Sequence, residues 1–389
     1  MTITPYMPVY RRSSVRVTHG EGAYLIDDTG KHYLDFAAGI AVNAFGHSHP
    51  RLVEVLQKQA ARLWHCSNQF MTPELEEFSA NLVKATFADS VFFCSSGTEA
   101  VEAGIKFLRR YHYENGEPYR HRIITFEGGF HGRTYGGISA GGNDYARVGF
   151  GQLLGGFDRV AFNDIAAVKN ALSKNTAGIL LEPIQGEGGV RAFDIDFLKA
   201  IRALCDAEGI LLMCDEVQCG YGRPGTLFAF ERAGITPDIC TSAKGIGAGF
   251  PLGAVLVTEK IASLLPPGSH GGTYNNNPLA MAVGNEVLKM MQEKHFLPHV
   301  KAISEELMSG LKILQQTYSA QINEVRGVGL MIGLQPVGDA RALSKKLLEA
   351  GLTTAPTVTN VIRLVPPLNI EIGHVQEALG IIETVLKKG

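Results

Sequence analysis

Short apolar runs alternate with helical stripes through the middle of the chain. Val91 to Cys94, Ile123 to Phe126, Ile179 to Leu181, Ile210 to Cys214, Ile239 to Ser242 and Ala254 to Val257 are rich in β-branched and apolar residues, the pattern of strands buried in a parallel sheet. Between two of them, Phe197, Ile201, Leu204 and Cys205 recur at helical spacing within Asp196 to Ala207, as a crossover helix requires. The centre of the chain is thus predicted to be α/β. Further on, Val300, Ile303, Leu307, Leu311 and Leu314 form a helix stripe, and apolar runs follow near Val325 to Leu334 and Val361 to Val365. A last helix carries Val375, Leu379, Ile382 and Leu386. This end predicts a smaller α+β unit. Near the start, Tyr24-Leu25-Ile26, the turn Asp27-Asp28-Thr29-Gly30 and Tyr33-Leu34-Asp35-Phe36 predict a hairpin too small to stand alone. It should dock on the C-terminal unit or on a second chain.

At 389 residues the chain exceeds one compact core and points to more than one domain. Lys plus Arg (36) nearly balance Asp plus Glu (38), for a formal charge of −2, so no overall field favours nucleic acid or an acidic membrane. No apolar run approaches the roughly 18 residues of a membrane span. The opening MTITPYMPVYRRSSVRV lacks the apolar stretch of a secretory signal, and six cysteines without a C-x-x-C pair make no disulfide framework. These features predict a cytoplasmic protein with reduced thiols, acting on small molecules. Glycine is the outlier, at 45 residues, and its placement near strand ends matters more than its number.

Ligands of open parallel sheets bind beyond the carboxyl ends of the strands, so the polar residues closing each apolar run are the candidates. Val91 to Cys94 runs into Ser95-Ser96-Gly97-Thr98-Glu99 and then a helix pattern, which offers free N–H groups and a positive dipole end to a phosphate. A plain helix cap by Ser96 or Thr98 is the simpler use of the same residues. Ile210 to Cys214 ends in Asp215, and Ile239 to Ser242 leads to Lys244, the only charge between Ile239 and Thr258. A lysine among small and apolar neighbours has a depressed pKa and can act as a nucleophile. An acid, a lone lysine and a phosphate cradle at three strand ends fit pyridoxal phosphate, which needs a partner for its aldehyde, its ring nitrogen and its phosphate.

Longer motifs carry a resemblance to a known family. HGEGAYLIDDTGKHYLDFAAGIAVNAFGHSHP from His19, FFCSSGTEAVEAGIKFLR from Phe92, GGFHGRT from Gly128, EPIQGEGG from Glu182, DEVQCGYGR from Asp215, TSAKGIGAGFPLGA from Thr241, HGGTYNNNP from His270 and IRLVPPL from Ile362 are similar to the class III (ω-amino acid) aminotransferases of pyridoxal-phosphate fold type I. The resemblance covers nearly the whole chain. It implies a large domain with a mainly parallel seven-stranded sheet at 51–277, and a small α+β domain built from 1–50 and, after a linking helix, the rest of 278–389. It also implies a homodimer.

Carried over, the resemblance gives Lys244 the aldehyde, Asp215 the pyridine nitrogen and Gln218 the ring hydroxyl. Gly97 and Thr98 correspond to the phosphate loop, Thr273 to a threonine reaching the phosphate across the dimer, and Phe130 to the aromatic stacked on the ring. Arg133 and Arg363 resemble two carboxylate-binding arginines, Glu187 the acid that pairs with the second and releases it for glutamate, and Glu182 a residue shaping the cofactor edge. Gly272 stands where many relatives have Ser, Tyr274-Asn275-Asn276 replaces a Phe-Gly-Gly-like run, and Thr98 replaces a common Ala; these departures bear on the donor's acyl group. The implied reaction moves the δ-amino group of N2-acetylornithine to 2-oxoglutarate, a step of arginine biosynthesis. Succinylornithine, succinyldiaminopimelate and ornithine are alternative donors, and an aminomutase is a rival on the same fold. A metal site built on His47, His49, His65, Cys66 and His131 is the weaker reading, because no H-x-x-H or carboxylate set accompanies them.

Overall fold

In the computed structural model, which describes residues 5–388, all six apolar runs are strands of one seven-stranded sheet. In chain order β1 is Ser90–Cys94, β2 Arg122–Phe126, β3 Phe157–Val160, β4 Thr176–Leu181, β5 Leu211–Asp215, β6 Ile239–Ser242 and β7 Gly253–Val257. Across the sheet they lie in the order β1-β7-β6-β5-β4-β2-β3. Strands β6, β5, β4, β2 and β3 are parallel to their neighbours in that series. Strand β7 is antiparallel to both β6 and β1, which corrects the parallel reading of Ala254 to Val257. The reason is length: residues 243–252 are too few for the crossover of a dozen or more that a parallel partner needs.

Alternation along the strands explains why both faces are dry. Leu212 and Cys214 of β5 belong to the same core as Phe197, Leu198 and Ile201 of the helix α2, Ile195–Glu208. Leu211 and Met213 instead join Val101, Ile105 and Leu108 of the helix α1, Gly97–Glu114. One helix thus covers each face, as the period of two dictates. Gly209, left-handed at φ +62, stops α2, because a residue with a Cβ pays for that conformation.

The two ends of the chain meet. Tyr24–Asp27 pairs antiparallel with His32–Asp35, and Leu34 and Asp35 lie in parallel register with Leu352 and Thr353. The predicted hairpin therefore docks on the C-terminal segment. Nearby, Ile322–Val328, Met331–Pro336, Ile362–Leu364 and Ala355–Pro356 form an antiparallel sheet, backed by the helices Phe296–Thr317 and Ile372–Lys387. Of the stripes predicted for those helices, Leu379 alone is half-buried rather than buried.

Between the hairpin and the large sheet the backbone makes a turn of the wrong hand. Ala38, Gly39, Ile40 and Ala41 have φ of +45, +65, +67 and +63, a conformation costing non-glycine residues about 1–2 kcal/mol each. Asp35 holds it: Oδ1 accepts the N–H groups of Ala37 (3.1 Å) and Ala38 (2.9 Å), and Oδ2 lies 2.8 Å from His47 Nε2. His47 is thereby committed to Asp35. All six cysteines are unpaired and five are buried. Among the described residues no helix is long and apolar enough to cross a membrane.

Gly178, in β4, packs against the next strand so closely that a Cβ would fall 2.4 Å from the carbonyl oxygen of Leu211. A backbone oxygen in a sheet cannot move aside. Gly178→Val is expected to destabilise the protein by about 1–3 kcal/mol, read as a lower urea midpoint at unchanged slope.

Candidate active site

Five strand ends open on one cavity of about 430 Å³. After β1 come Ser95 to Thr98, after β2 Phe130 to Arg133, after β4 Glu182, at the end of β5 Asp215, and after β6 Lys244, all of them lining it. Val42, placed by the left-handed turn, and Val217 add apolar wall.

Asp215 is 3% exposed and saturated with donors. His131 Nδ1 lies 2.8 Å from Oδ2, while Oδ1 accepts from Thr241 Oγ1 (3.2 Å) and the Val217 N–H (3.1 Å). Burial opposes a charge on His131, but the hydrogen bond and charge of Asp215 outweigh it and raise its pKa. The contact with Asp215 thus favours the charged imidazolium of His131 and fixes the carboxylate in place beneath the cavity. Glu182, 6% exposed, accepts the N–H groups of Phe130 (2.8 Å) and Gly186 (3.3 Å). Burial, with the Asp215 charge adding to it and His131 opposing, pushes it up to about 7.

Lys244 sits just after β6 in the left-handed region, at φ +49, a strain of the kind that clusters at working sites. It is half-buried and lines the cavity. Burial, helped by the charge of Arg363, pushes its amine down to about 8, against the pull of Asp215, Glu182 and Glu187. An amine with that pKa has a substantial neutral fraction near pH 7.5, which an ordinary lysine lacks.

Arg363 and Glu187 do not line this cavity; they meet behind Gln218, which does. Arg363 is 1% exposed. Its Nη2 lies 2.6 Å from Glu187 Oε1, its Nη1 donates to Gln218 Oε1 at 2.9 Å, and its Nε donates to the Ala355 carbonyl at 3.3 Å. The guanidinium is thus held in place by one charge and two neutral acceptors.

At the other wall, Ser96 caps α1, its Oγ accepting the Glu99 N–H at 3.3 Å. The cap is therefore formed by Ser96, while Gly97 and Thr98, at a helix start whose first N–H groups have no intrahelical acceptor, line the cavity. Thr98 Oγ1 accepts the Arg133 N–H at 3.2 Å, and the Arg133 guanidinium stands 5.7 Å from the centre of the Phe130 ring. Gly272 and Thr273 are not brought to this cavity. They are exposed, with the Gly272 carbonyl accepting from Asn68 Nδ2 at 2.8 Å. Sequence reasoning treated His131 only as a metal ligand and missed its bond to Asp215; its place beside Phe130 in GGFHGRT was the available clue.

A free amine, a buried carboxylate, a helix N-terminus and apolar walls from Phe130 and Val217 around one cavity match what pyridoxal phosphate requires of a protein. The sequence pattern described as Aminotransferase class-III matches residues 6–386. The chain belongs to the class-III aminotransferases. This aminotransferase is 49% identical over 387 residues to the acetylornithine aminotransferase of Brucella melitensis biotype 1, spanning 100% of this chain and 96% of that one. Among solved structures, the N-acetylornithine aminotransferase from Stenotrophomonas maltophilia K279a matches at 37% identity and TM-score 0.85, over 97% of this chain and 96% of that one. The ornithine aminotransferase from Toxoplasma gondii ME49 matches at 30% identity and TM-score 0.95, over 98% and 93%. The seven-stranded sheet is therefore that of fold type I.

The depressed Lys244 pKa sets a pH signature. Between about 8 and the ordinary 10.5 the unfolded chain binds more protons than the folded one, so this residue makes stability rise with pH across that window. Lys244→Met should stabilise the cofactor-free aminotransferase at pH 7, with the gain fading as pH climbs past 8 towards 10.5. Thermal melts across that range measure it.

Proposed function

We propose that this aminotransferase moves the δ-amino group of N2-acetyl-L-ornithine to 2-oxoglutarate, giving N-acetyl-L-glutamate 5-semialdehyde and L-glutamate. The observation that carries the reading is Arg363 paired with Glu187 at 2.6 Å beside the cavity of Lys244 and Asp215. A cation that a neighbouring acid can mask or release suits a pocket serving two unlike substrates in turn. The two acetylornithine aminotransferases named above support the choice of donor.

Bound pyridoxal phosphate supplies an electron sink for the carbon that gives up its proton. Asp215, anchored by His131, would face the ring nitrogen and favour a proton there. The N–H groups of Gly97 and Thr98 would hold the phosphate, Gln218 would hold the ring hydroxyl, and Phe130 would cover the ring. Lys244 would hold the aldehyde of the bound group, and its amine, when free, would accept and return a proton at the donor carbon, a role that its pKa of about 8 suits to neutral pH. Arg133 binds the donor carboxylate through the planar guanidinium geometry that suits carboxylates. Arg363, released by Glu187, binds a carboxylate of 2-oxoglutarate. Glu182 fixes the Phe130 backbone. Thr273, outside its own cavity, serves the phosphate of a second copy, so the working unit is a homodimer; Gly272 beside it bears on the acyl group. Residues 51–277 form the cofactor domain, and 1–50 with 278–389 form the small domain and its link. The enzyme works in the cytoplasm.

Single-turnover rates with acetylornithine, succinylornithine, succinyldiaminopimelate and ornithine test the donor. Acetylornithine should be fastest by about tenfold or more, a margin of some 1.4 kcal/mol; parity with any of the others overturns the assignment. Lys244→Ala should lower turnover by about 10³ or more while the protein stays folded. Arg363→Ala should slow the 2-oxoglutarate half-reaction about tenfold more than the donor half-reaction, the loss of one charge-assisted pair; equal losses would falsify the masking role of Glu187.

A further inference from the structure

A second cavity, of about 350 Å³, shares no lining residue with the one around Lys244. Lys106, Arg109, Arg110, Arg120 and His121 line it, and no Asp or Glu does. Two of the cations have carboxylate partners: Arg110 pairs with Glu114, and Arg120 Nε lies 3.2 Å from Glu117. Among the described residues the other two have none. Lys106 Nζ meets His270 Nδ1 at 2.9 Å. Arg109 donates to carbonyl oxygens alone, Nε to His121 (3.0 Å) and Nη2 to Gly155 (3.1 Å), and Glu102 reaches it only through its field.

These side chains are already fixed. The Arg109 guanidinium stands 5.1 Å from the centre of the Phe157 ring and that of Arg110 5.0 Å from Tyr113, while Arg110 Nε is buried with no acceptor. Cations near the end of α1 offset its dipole, which accounts for Arg109 and Arg110. It does not account for Lys106 one turn earlier, or for Arg120 and His121 arriving from the next segment. An adjoining cavity of about 240 Å³ shares Phe107, Leu265 and Ser269 with the first and continues along Val91, Phe92 and Val257. A cationic mouth therefore leads to an aromatic and aliphatic chamber.

We propose that this composite cavity binds a phosphate monoester carried on a planar heteroaromatic ring. A phosphate dianion matches two cations that lack a carboxylate, and guanidinium forks fit its oxygens. The aromatic chamber takes the ring, and the size falls in the range of roughly 300–1,000 Å³ typical of small-ligand sites. Nucleoside monophosphates and phosphorylated B6 vitamers share this chemistry.

Calorimetric titration separates the sources. The catalytic cavity is first filled with pyridoxal phosphate and sealed by borohydride reduction, with the adduct at Lys244 verified by mass. AMP, pyridoxine 5′-phosphate, adenosine and inorganic phosphate are then titrated in turn. At least one of the two esters should bind once per chain, at least about tenfold more tightly than adenosine or inorganic phosphate, and more weakly as salt rises. The tighter ester identifies the source. Arg109→Gln and Lys106→Gln should each weaken it about tenfold or more; Lys106 is exposed, so that variant stands even where the first fails to fold. Absence of saturable binding by both esters, inorganic phosphate binding as tightly as either, or unchanged affinity in the folded variants would each overturn the proposal.

Discussion

Asp215, Arg363 and Lys244 come together around one end of the large sheet, and each chargeable group has to be reconciled with leaving water. Unpaired, each would cost several kcal/mol. Asp215 and Arg363 are reconciled by partners: the carboxylate by His131, Thr241 and a backbone N–H, the guanidinium by Glu187, Gln218 and a carbonyl. Lys244 is reconciled by losing its proton more readily. The cavity thus places a buried, fully partnered acid and an amine of lowered pKa side by side.

The arrangement draws on both ends of the architecture. Asp215 and Lys244 come from adjacent strands of the large sheet, with Asp215 and Thr241 in register. Arg363 comes from the antiparallel sheet, where it faces Ala355 across the strand pair. Gln218 is where the two systems touch, because its amide lies on the cavity wall and accepts from Arg363.

Much of this was legible in the chain, and the gaps have physical causes. Strands buried on both faces announce themselves as apolar runs, so six of seven were visible. Phe157–Val160 was not, because Asp158 and Arg159 break its run; Asp158 pairs with Arg122 of the neighbouring strand, a contact no local pattern reveals. Lys244 stood out as the lone charge of a long neutral tract, and Asp215 as a strand-closing acid. The bond from His131 to Asp215 joins residues distant in sequence, and a histidine in a glycine-rich loop looks the same with or without it. The left-handed backbone at Ala38, Ile40, Ala41 and Lys244 was equally hidden, since only Gly39 among the turn residues advertises that conformation. Glu187 and Arg363 were paired by family likeness, not by spacing.

The reversed direction of β7 has a mechanical outcome. Because it returns directly beside β6, the loop bearing the amine is anchored at both feet in the middle of the sheet, as a short bracket instead of a long strap. Tolerance to sequence drift should then be lowest in residues 243–252, where a single inserted residue would tilt the bracket, and highest in the surrounding loops that face solvent.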